Sequence, residues 1–247
     1  MSDEVQDSLL LSPERRRELA NALIDTLERL ERGRAEQGNY RAASPETLTR
    51  AAQPPSEKGA AEVPAILDAF VEAASVGWDK SAAGNFSFIP NGALDAGVLT
   101  ALLAAGSHAF SGAAFEAPGL VATEEGVFRW IASILSLPAS AGGLLLSGGS
   151  LANQTCLETA RTVKPSSAEP RMYGSVRVHH SITKAARLIG LPANAVHLVE
   201  TDANGRCDPK ALSDAIRDDV SSGHNPFLVV ATAGSTDMGS IDPLPHA

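Results

Sequence analysis

Three short stretches of this chain hold residues suited to gripping an anion or a flat ring. Ser147-Gly148-Gly149-Ser150 lies between an apolar run and a helix-like run. Glycines at a strand-to-helix junction leave backbone N–H groups unpaired at the helix N-terminus. Those amides can converge on a phosphate, with the helix dipole adding to the attraction. Glycine lets the backbone approach closely, and Ser150 adds a hydroxyl. His179-His180 sits where a strand gives way to a helix, the edge at which open α/β sheets bind ligands, and an imidazole there can stack on another flat ring. Thr232-Ala233-Gly234-Ser235-Thr236 follows the apolar run Phe227–Ala231 and offers hydroxyls and amides to a phenolic oxygen or a carboxylate. Taken singly, each stretch also suits an ordinary turn or a structural histidine.

Several other chemistries find no support. Gly148-Gly149-Ser150-Leu151-Ala152 is not a nucleophile elbow, because Ala152 stands where the last glycine is needed. Neither a G-x-G-x-x-G nor a P-loop pattern occurs. No metal site is expected, since His108, His197, His224 and His246 show no spacing that would give His179-His180 a third ligand. The net charge of -9 argues against a nucleic-acid partner. No apolar run approaches the roughly 20 residues that span a bilayer, and the acidic start has no apolar signal core. Cys156 and Cys207 are far apart and read as reduced thiols. Together these features predict a cytoplasmic protein with no membrane partner.

The elements that must position the three stretches follow from periodicity. Ser12-Pro13-Glu14 is a helix start, and Leu19, Leu23, Leu27 and Leu30 form a narrow stripe that Gly33 is expected to end. Further helices are predicted over 45–52, 62–75, 93–105 and 122–137. From Gly142 onward strands and helices alternate: strand 143–147, helix 151–163, strand 172–178, helix 181–190, strand 195–199, helix 209–220 and strand 227–233. Such alternation implies parallel strands joined by crossover helices, an α/β sheet covered on both faces. The expected organisation is an N-terminal helical segment, residues 1–85, followed by the first part of a large α/β domain, residues 86–247.

In order and spacing the stretches resemble the group II pyridoxal-phosphate (PLP) amino-acid decarboxylases, the family of the aromatic-amino-acid and glutamate decarboxylases. The resemblance rests on Ser147-Gly148-Gly149-Ser150-Leu151-Ala152-Asn153, on His179-His180-Ser181-Ile182-Thr183-Lys184-Ala185 and on Ala231–Thr236. The phrase Gly205-Arg206-Cys207-Asp208-Pro209 and the loop Phe86–Gly92 add to it, so it runs from about residue 60 to 247. Leu151 departs from the family, which usually has glutamate after the phosphate serine, and Ala122 stands where another glutamate is common.

The resemblance implies a fold type I, PLP-dependent transferase-like large domain, with PLP as cofactor and an amino acid as substrate. Gly149 and Ser150 would hold the phosphate. His179 would stack on the pyridine ring, and Thr236 would lie near the ring hydroxyl or the substrate carboxylate; these two are the expected catalytic residues. Phe88, Ile89 and Pro90 would wall the substrate side chain, and their apolar character leans toward an aromatic or uncharged one. A homodimer with shared sites is implied. The family carries its Schiff-base lysine and ring-pairing aspartate beyond the position matching Ala247, so the chain as written is expected to be an incomplete domain, inactive alone. The alternatives are a truncated, non-catalytic partner of a full-length homologue, or another type I PLP enzyme.

Overall fold

The structure, a computed structural model, describes residues 11–36, 38–53, 63–82, 85 and 93–243. The predicted substrate wall, Phe88, Ile89 and Pro90, lies outside the described residues. The chain divides into two compact units, Met1–His108 and Ala109–Ala247.

The first unit is helical. α1 (Pro13–Ala35) begins where expected: the Ser12 side chain accepts the Arg15 N–H and Pro13 occupies the first turn. It runs through Gly33 rather than stopping there. A single glycine costs a helix only about 1 kcal/mol, and Arg34 beyond it anchors the last turn by donating to the Ala74 carbonyl at 3.2 Å. α2 (Pro45–Ala51) packs on α3 (Val63–Ala74), where Thr47 Oγ1 donates to Glu72 Oε1 at 3.1 Å, and Arg29–Asp68 at 2.9 Å ties α3 to α1. Two-residue strands β1 (Tyr40–Arg41) and β2 (Gly77–Trp78) pair antiparallel; they are too short to show a period in sequence. α4 (Asp95–Gly106) completes the unit.

The second unit opens with α5 (Pro118–Ile134). Then come α6 (Gly149–Val163), β3 (Pro170–Ser175), α7 (His180–Leu188), a 3-10 turn at Ala193–Ala195, β4 (Val196–Val199), α8 (Pro209–Ser221) and β5 (Asn225–Val230). The strands form a parallel sheet in the order β4-β3-β5, with Met172 opposite Val196 and Leu228. The central strand is buried on both faces, as a parallel sheet requires. Met172 points into a cluster with Leu157, Ile182, Ala185 and Ala186 from α6 and α7. Its neighbour Tyr173 points the other way, onto Val199, Cys207 and Leu212 beside α8. The i, i+3, i+4 spacing of Ile182, Ala185 and Ala186 is what lays α7 on the sheet.

The strand expected over 143–147 does not form. A strand exists by pairing, and this stretch has no strand neighbour among the described residues; the Leu145 N–H donates instead to Glu124 Oε1 at 2.8 Å. Leu144 and Leu145 are exposed. The strand expected over 172–178 ends at Ser175, because Val178 N–H turns back to the Ser175 carbonyl at 3.0 Å.

Candidate functional site

The parallel sheet sends its chain ends to one edge. Loop 176–179 follows β3, loop 200–208 follows β4 and loop 231–243 follows β5. His179 closes the first of these loops, and Thr236 lies on the third.

α6 begins at Gly149 with Gly148 as its cap residue and no side-chain cap. The Leu151 and Ala152 amides fold back onto the Gly148 carbonyl at 3.1 Å each. The Gly149 and Ser150 amides precede any intrahelical acceptor and face outward. A side chain placed at Gly148 or Gly149 would meet nothing within 4 Å, so the turn is uncrowded on its Cβ side. An oxyanion suits this end of the helix: two amides without intrahelical acceptors, the positive end of a 15-residue helix and the exposed Ser150 belong to neighbouring residues.

His179 is the N-cap of α7, a role usually taken by Ser, Thr, Asp or Asn. Its Nδ1 accepts the Ser181 backbone N–H at 3.3 Å and lies 2.7 Å from Ser181 Oγ. The amide donates only at long range, and the hydroxyl, which accepts from Asn153, has its own proton to offer; together they make Nδ1 the acceptor and assign the ring proton to Nε2. Ser181 Oγ in turn accepts Asn153 Nδ2 at 2.8 Å. Asn153 stands one turn into α6, directly after the glycine turn. The relay Asn153–Ser181–His179 therefore joins α6, the helix that opens at the predicted anion cradle, to the predicted ring-stacking histidine. Ser181 is buried, which keeps water out of the relay. The His180 ring lies beside His179 with centroids 4.2 Å apart and planes tilted by 41°.

Thr236 is exposed at the tip of a turn. Its loop is closed at the base by Asp242, which is buried and accepts the Thr232 N–H at 2.8 Å and the Cys207 N–H at 2.7 Å. Within the loop, Ser235 Oγ accepts the Ser240 N–H at 3.2 Å, and the Gly239 amide donates to the Ser235 carbonyl at 2.8 Å. The structure thus links His179 by hydrogen bonds to Asn153 on α6, the helix that the Gly149–Ser150 turn opens. It brings Thr236 to the same edge through the neighbouring pair Arg177–Asp237 rather than by a contact of its own.

Sequence reading assigned no role to Asn153 or Ser181, although both stand inside the motifs. Asp242 and Asp219 carried no signal at all. Asp219 is buried behind the sheet. It accepts from Tyr173 Oη at 2.8 Å and Arg171 Nε at 3.2 Å, with His197 Nδ1 at 3.2 Å and His224 Nδ1 at 3.0 Å. Burial alone would raise its pKa, but these hydrogen bonds outweigh it and hold the carboxyl below the usual range. Burial, with Asp242 and Asp208 nearby, pushes the Cys207 thiol up, which leaves it an inert core residue. Among the described residues no cluster of His, Cys, Asp and Glu could hold a metal, and no helix is long and apolar enough to cross a membrane.

Comparison with known proteins gives the family and the fold. The family described as the pyridoxal-dependent decarboxylase conserved domain matches residues 79–246. The chain is 34% identical over 160 residues to the aromatic-L-amino-acid decarboxylase of Bacillus atrophaeus, covering 64% of this chain and 33% of that one. It is 37% identical over 131 residues to the L-2,4-diaminobutyrate decarboxylase of Rhizobium meliloti (strain 1021), covering 52% and 26%. Mouse CSAD in its apo form superposes with a TM-score of 0.84 at 22% identity, covering 94% of this chain and 52% of that one. Oryza sativa TDC with PLP and tryptamine superposes with a TM-score of 0.85 at 22% identity, covering 94% and 51%. These superpositions show the fold, the fold type I large domain of PLP-dependent decarboxylases. The chain spans about a third of the length of the first of these curated relatives and about half of the solved chains. With the family match covering more than half of its residues, the chain belongs to the pyridoxal-dependent decarboxylase family.

Proposed function

We propose that this chain forms the phosphate-binding and ring-facing part of a PLP-dependent amino-acid decarboxylase. The observation that carries this reading is the hydrogen-bonded relay from Asn153 through Ser181 to His179, which couples the helix that opens at the anion cradle to an imidazole of defined tautomer.

The proposed work of each residue follows from its geometry. The Gly149 and Ser150 amides and the Ser150 hydroxyl grip the phosphate. The α6 dipole adds attraction for the dianion. His179, held at Nδ1 by Ser181, offers one ring face to the pyridine and keeps its proton at Nε2. Ordered in this way, the imidazole shields the reacting carbon from water with its one ring proton on Nε2. Thr236, on a loop fixed at its base by Asp242, presents a hydroxyl to the ring oxygen or to the substrate carboxylate. Phe88, Ile89 and Pro90 are proposed to wall the substrate side chain. Once bound, the cofactor supplies an electron-accepting ring for cleavage of the bond to the carboxylate.

None of the described lysines suits the imine role. Lys184 is exposed on α7, Lys210 is paired with Asp214 at 2.6 Å, Lys80 lies over the Trp78 ring, and Lys164 caps the far end of α6. We therefore propose that decarboxylation needs a lysine and an aspartate from outside these residues, and that this polypeptide alone binds without catalysing. A homodimer is proposed as the working form. The apolar groove of about 1060 Å³ between α1, α3 and α4, lined by Leu23, Leu27, Phe70, Leu102 and Leu103, supports association.

Pyridoxamine 5'-phosphate tests the reading, because it lacks the aldehyde and cannot attach to surface lysines. Calorimetry with the wild-type chain, Ser150→Ala and His179→Ala should show binding that each substitution weakens about tenfold, the worth of one charge-assisted hydrogen bond or one stacked ring. Equal affinity in all three proteins would refute it.

A further inference from the structure

The three loops at the carboxyl edge of the sheet converge on Gly205. This residue has φ +72°, a left-handed conformation that glycine adopts at no steric cost. A Cβ there would lie 2.9 Å from Ser240 Oγ, 3.0 Å from Met238 Sδ and 3.1 Å from Arg177 Nε. One small residue of the second loop is thus touched by side chains of the first and the third. Ser240 Oγ donates to the Asn204 carbonyl at 2.8 Å, stitching the third loop to the second. Arg177 forms an ion pair with Asp237, stitching the first loop to the third. Arg177 is two residues before His179, and Asp237 directly follows Thr236.

We infer that the Arg177–Asp237 pair, seated over Gly205, is a clasp that sets the Thr236 loop against the His179 loop, so that Arg177 and Asp237 are positioning residues for the ring-binding site. A fully exposed ion pair contributes little. Here the Arg177 side chain is only 33% exposed, and its Nε is buried with no hydrogen-bond partner among the described residues. A guanidinium committed in this way to the loop interface relies on Asp237 to balance its charge. The Thr236 turn has its strong anchors at its base, on Asp242, and the Arg177–Asp237 pair reaches its tip. Losing the pair frees the tip while the base stays fixed.

The inference rests on the reading of this edge as a PLP site, but its test separates the two. Hydrogen exchange is followed on residues 233–240 in the full 247-residue chain, alongside calorimetric titration with pyridoxamine 5'-phosphate. The variants are Arg177→Ala, Asp237→Ala, the double alanine and the swapped pair Arg177→Asp with Asp237→Arg. Each single alanine should speed exchange and weaken binding by about 2- to 5-fold, the upper range for an ion pair whose acid is 54% exposed. The double alanine should be no worse than either single, and the swap should recover most of both effects. Gly205→Ala, which wedges the loops apart while leaving both charges in place, should speed exchange in the same way. Unchanged exchange in the single variants, or fully additive effects in the double, would overturn the clasp. A wild-type chain that does not bind the probe overturns the binding reading and leaves the exchange data to decide the clasp by themselves.

Discussion

The side-chain amide of Asn153 on α6 donates to the hydroxyl of Ser181 on α7 at 2.8 Å. That contact ties the helix whose N-terminus faces the anion site to the helix capped by His179. Its chemical consequence is a fixed tautomer: Ser181 points its backbone N–H at His179 Nδ1, and its hydroxyl, having accepted from Asn153, has its own proton to offer the same atom.

Ser181→Ala should therefore release the ring. The variant keeps the backbone cap but loses the 2.7 Å hydroxyl contact and leaves the half-buried Asn153 amide without that acceptor. We expect a stability loss of about 1–2 kcal/mol and a mixed tautomer. Nitrogen-15 chemical shifts of the His179 ring report the latter directly. A single Nε2–H tautomer in the variant would show that the hydroxyl is not what sets it.

Asp219 should govern acid stability. Its folded-state pKa lies below its ordinary value, despite burial, because Tyr173, His197, Arg171 and His224 all hydrogen-bond to the carboxylate. A depressed acid pKa contributes stability that is fully present above the unfolded value of about 4 and is lost as pH falls through the folded value. Asp219→Asn should cost about 2 kcal/mol near neutrality, since the buried Arg171 would keep only the exposed Glu169, at 3.3 Å, to balance its charge. The variant should also flatten the fall in stability below pH about 4. Urea unfolding at several pH values measures both; parallel curves for the two proteins would contradict this.

Asp242→Ala removes the acceptor for two backbone donors, the buried Cys207 amide and the half-buried Thr232 amide. An unsatisfied buried N–H costs about 1–3 kcal/mol, so we expect a total loss of about 3 kcal/mol or more and rapid exchange at Thr232. Asp242→Asn keeps an oxygen for one of the two amides and should lose roughly half as much. Thermal melts of the two variants distinguish this graded loss from an all-or-none one.

How much of this was readable in the sequence depends on the range of the interaction. Local signals served well. Ser12-Pro13 starts α1 as expected, and Asp208-Pro209 starts α8, with the Asp208 carboxylate accepting the Lys210 and Ala211 amides. The alternation of strands and helices after Gly142 gives a parallel sheet, because crossover chemistry is local to each unit. The strand over 143–147 failed because pairing is not local: an apolar run becomes a strand only beside another, and the Leu145 amide is taken by Glu124. The glycine turn and His179 stood out by residue type. Asn153, Ser181 and Asp242 did not, because their importance lies in partners 28 to 35 residues away. Asp219 reads as a surface acid on α8 until β3 brings Arg171 and Tyr173 against it.

The most direct test of the phosphate cradle is Gly149→Pro. Gly149 is the first residue of α6, where proline is well tolerated and its fixed φ suits the helix. The backbone there has open space for the ring, and Gly148 before it is already extended. The substitution therefore deletes one outward amide while sparing the helix. Calorimetric titration with pyridoxamine 5'-phosphate should show binding to the wild-type chain and an affinity about tenfold lower in Gly149→Pro, the cost of one amide–phosphate bond, with helical circular dichroism unchanged. Undiminished binding by the proline variant, or no binding by the wild-type chain, would contradict the assignment of this turn as the phosphate site.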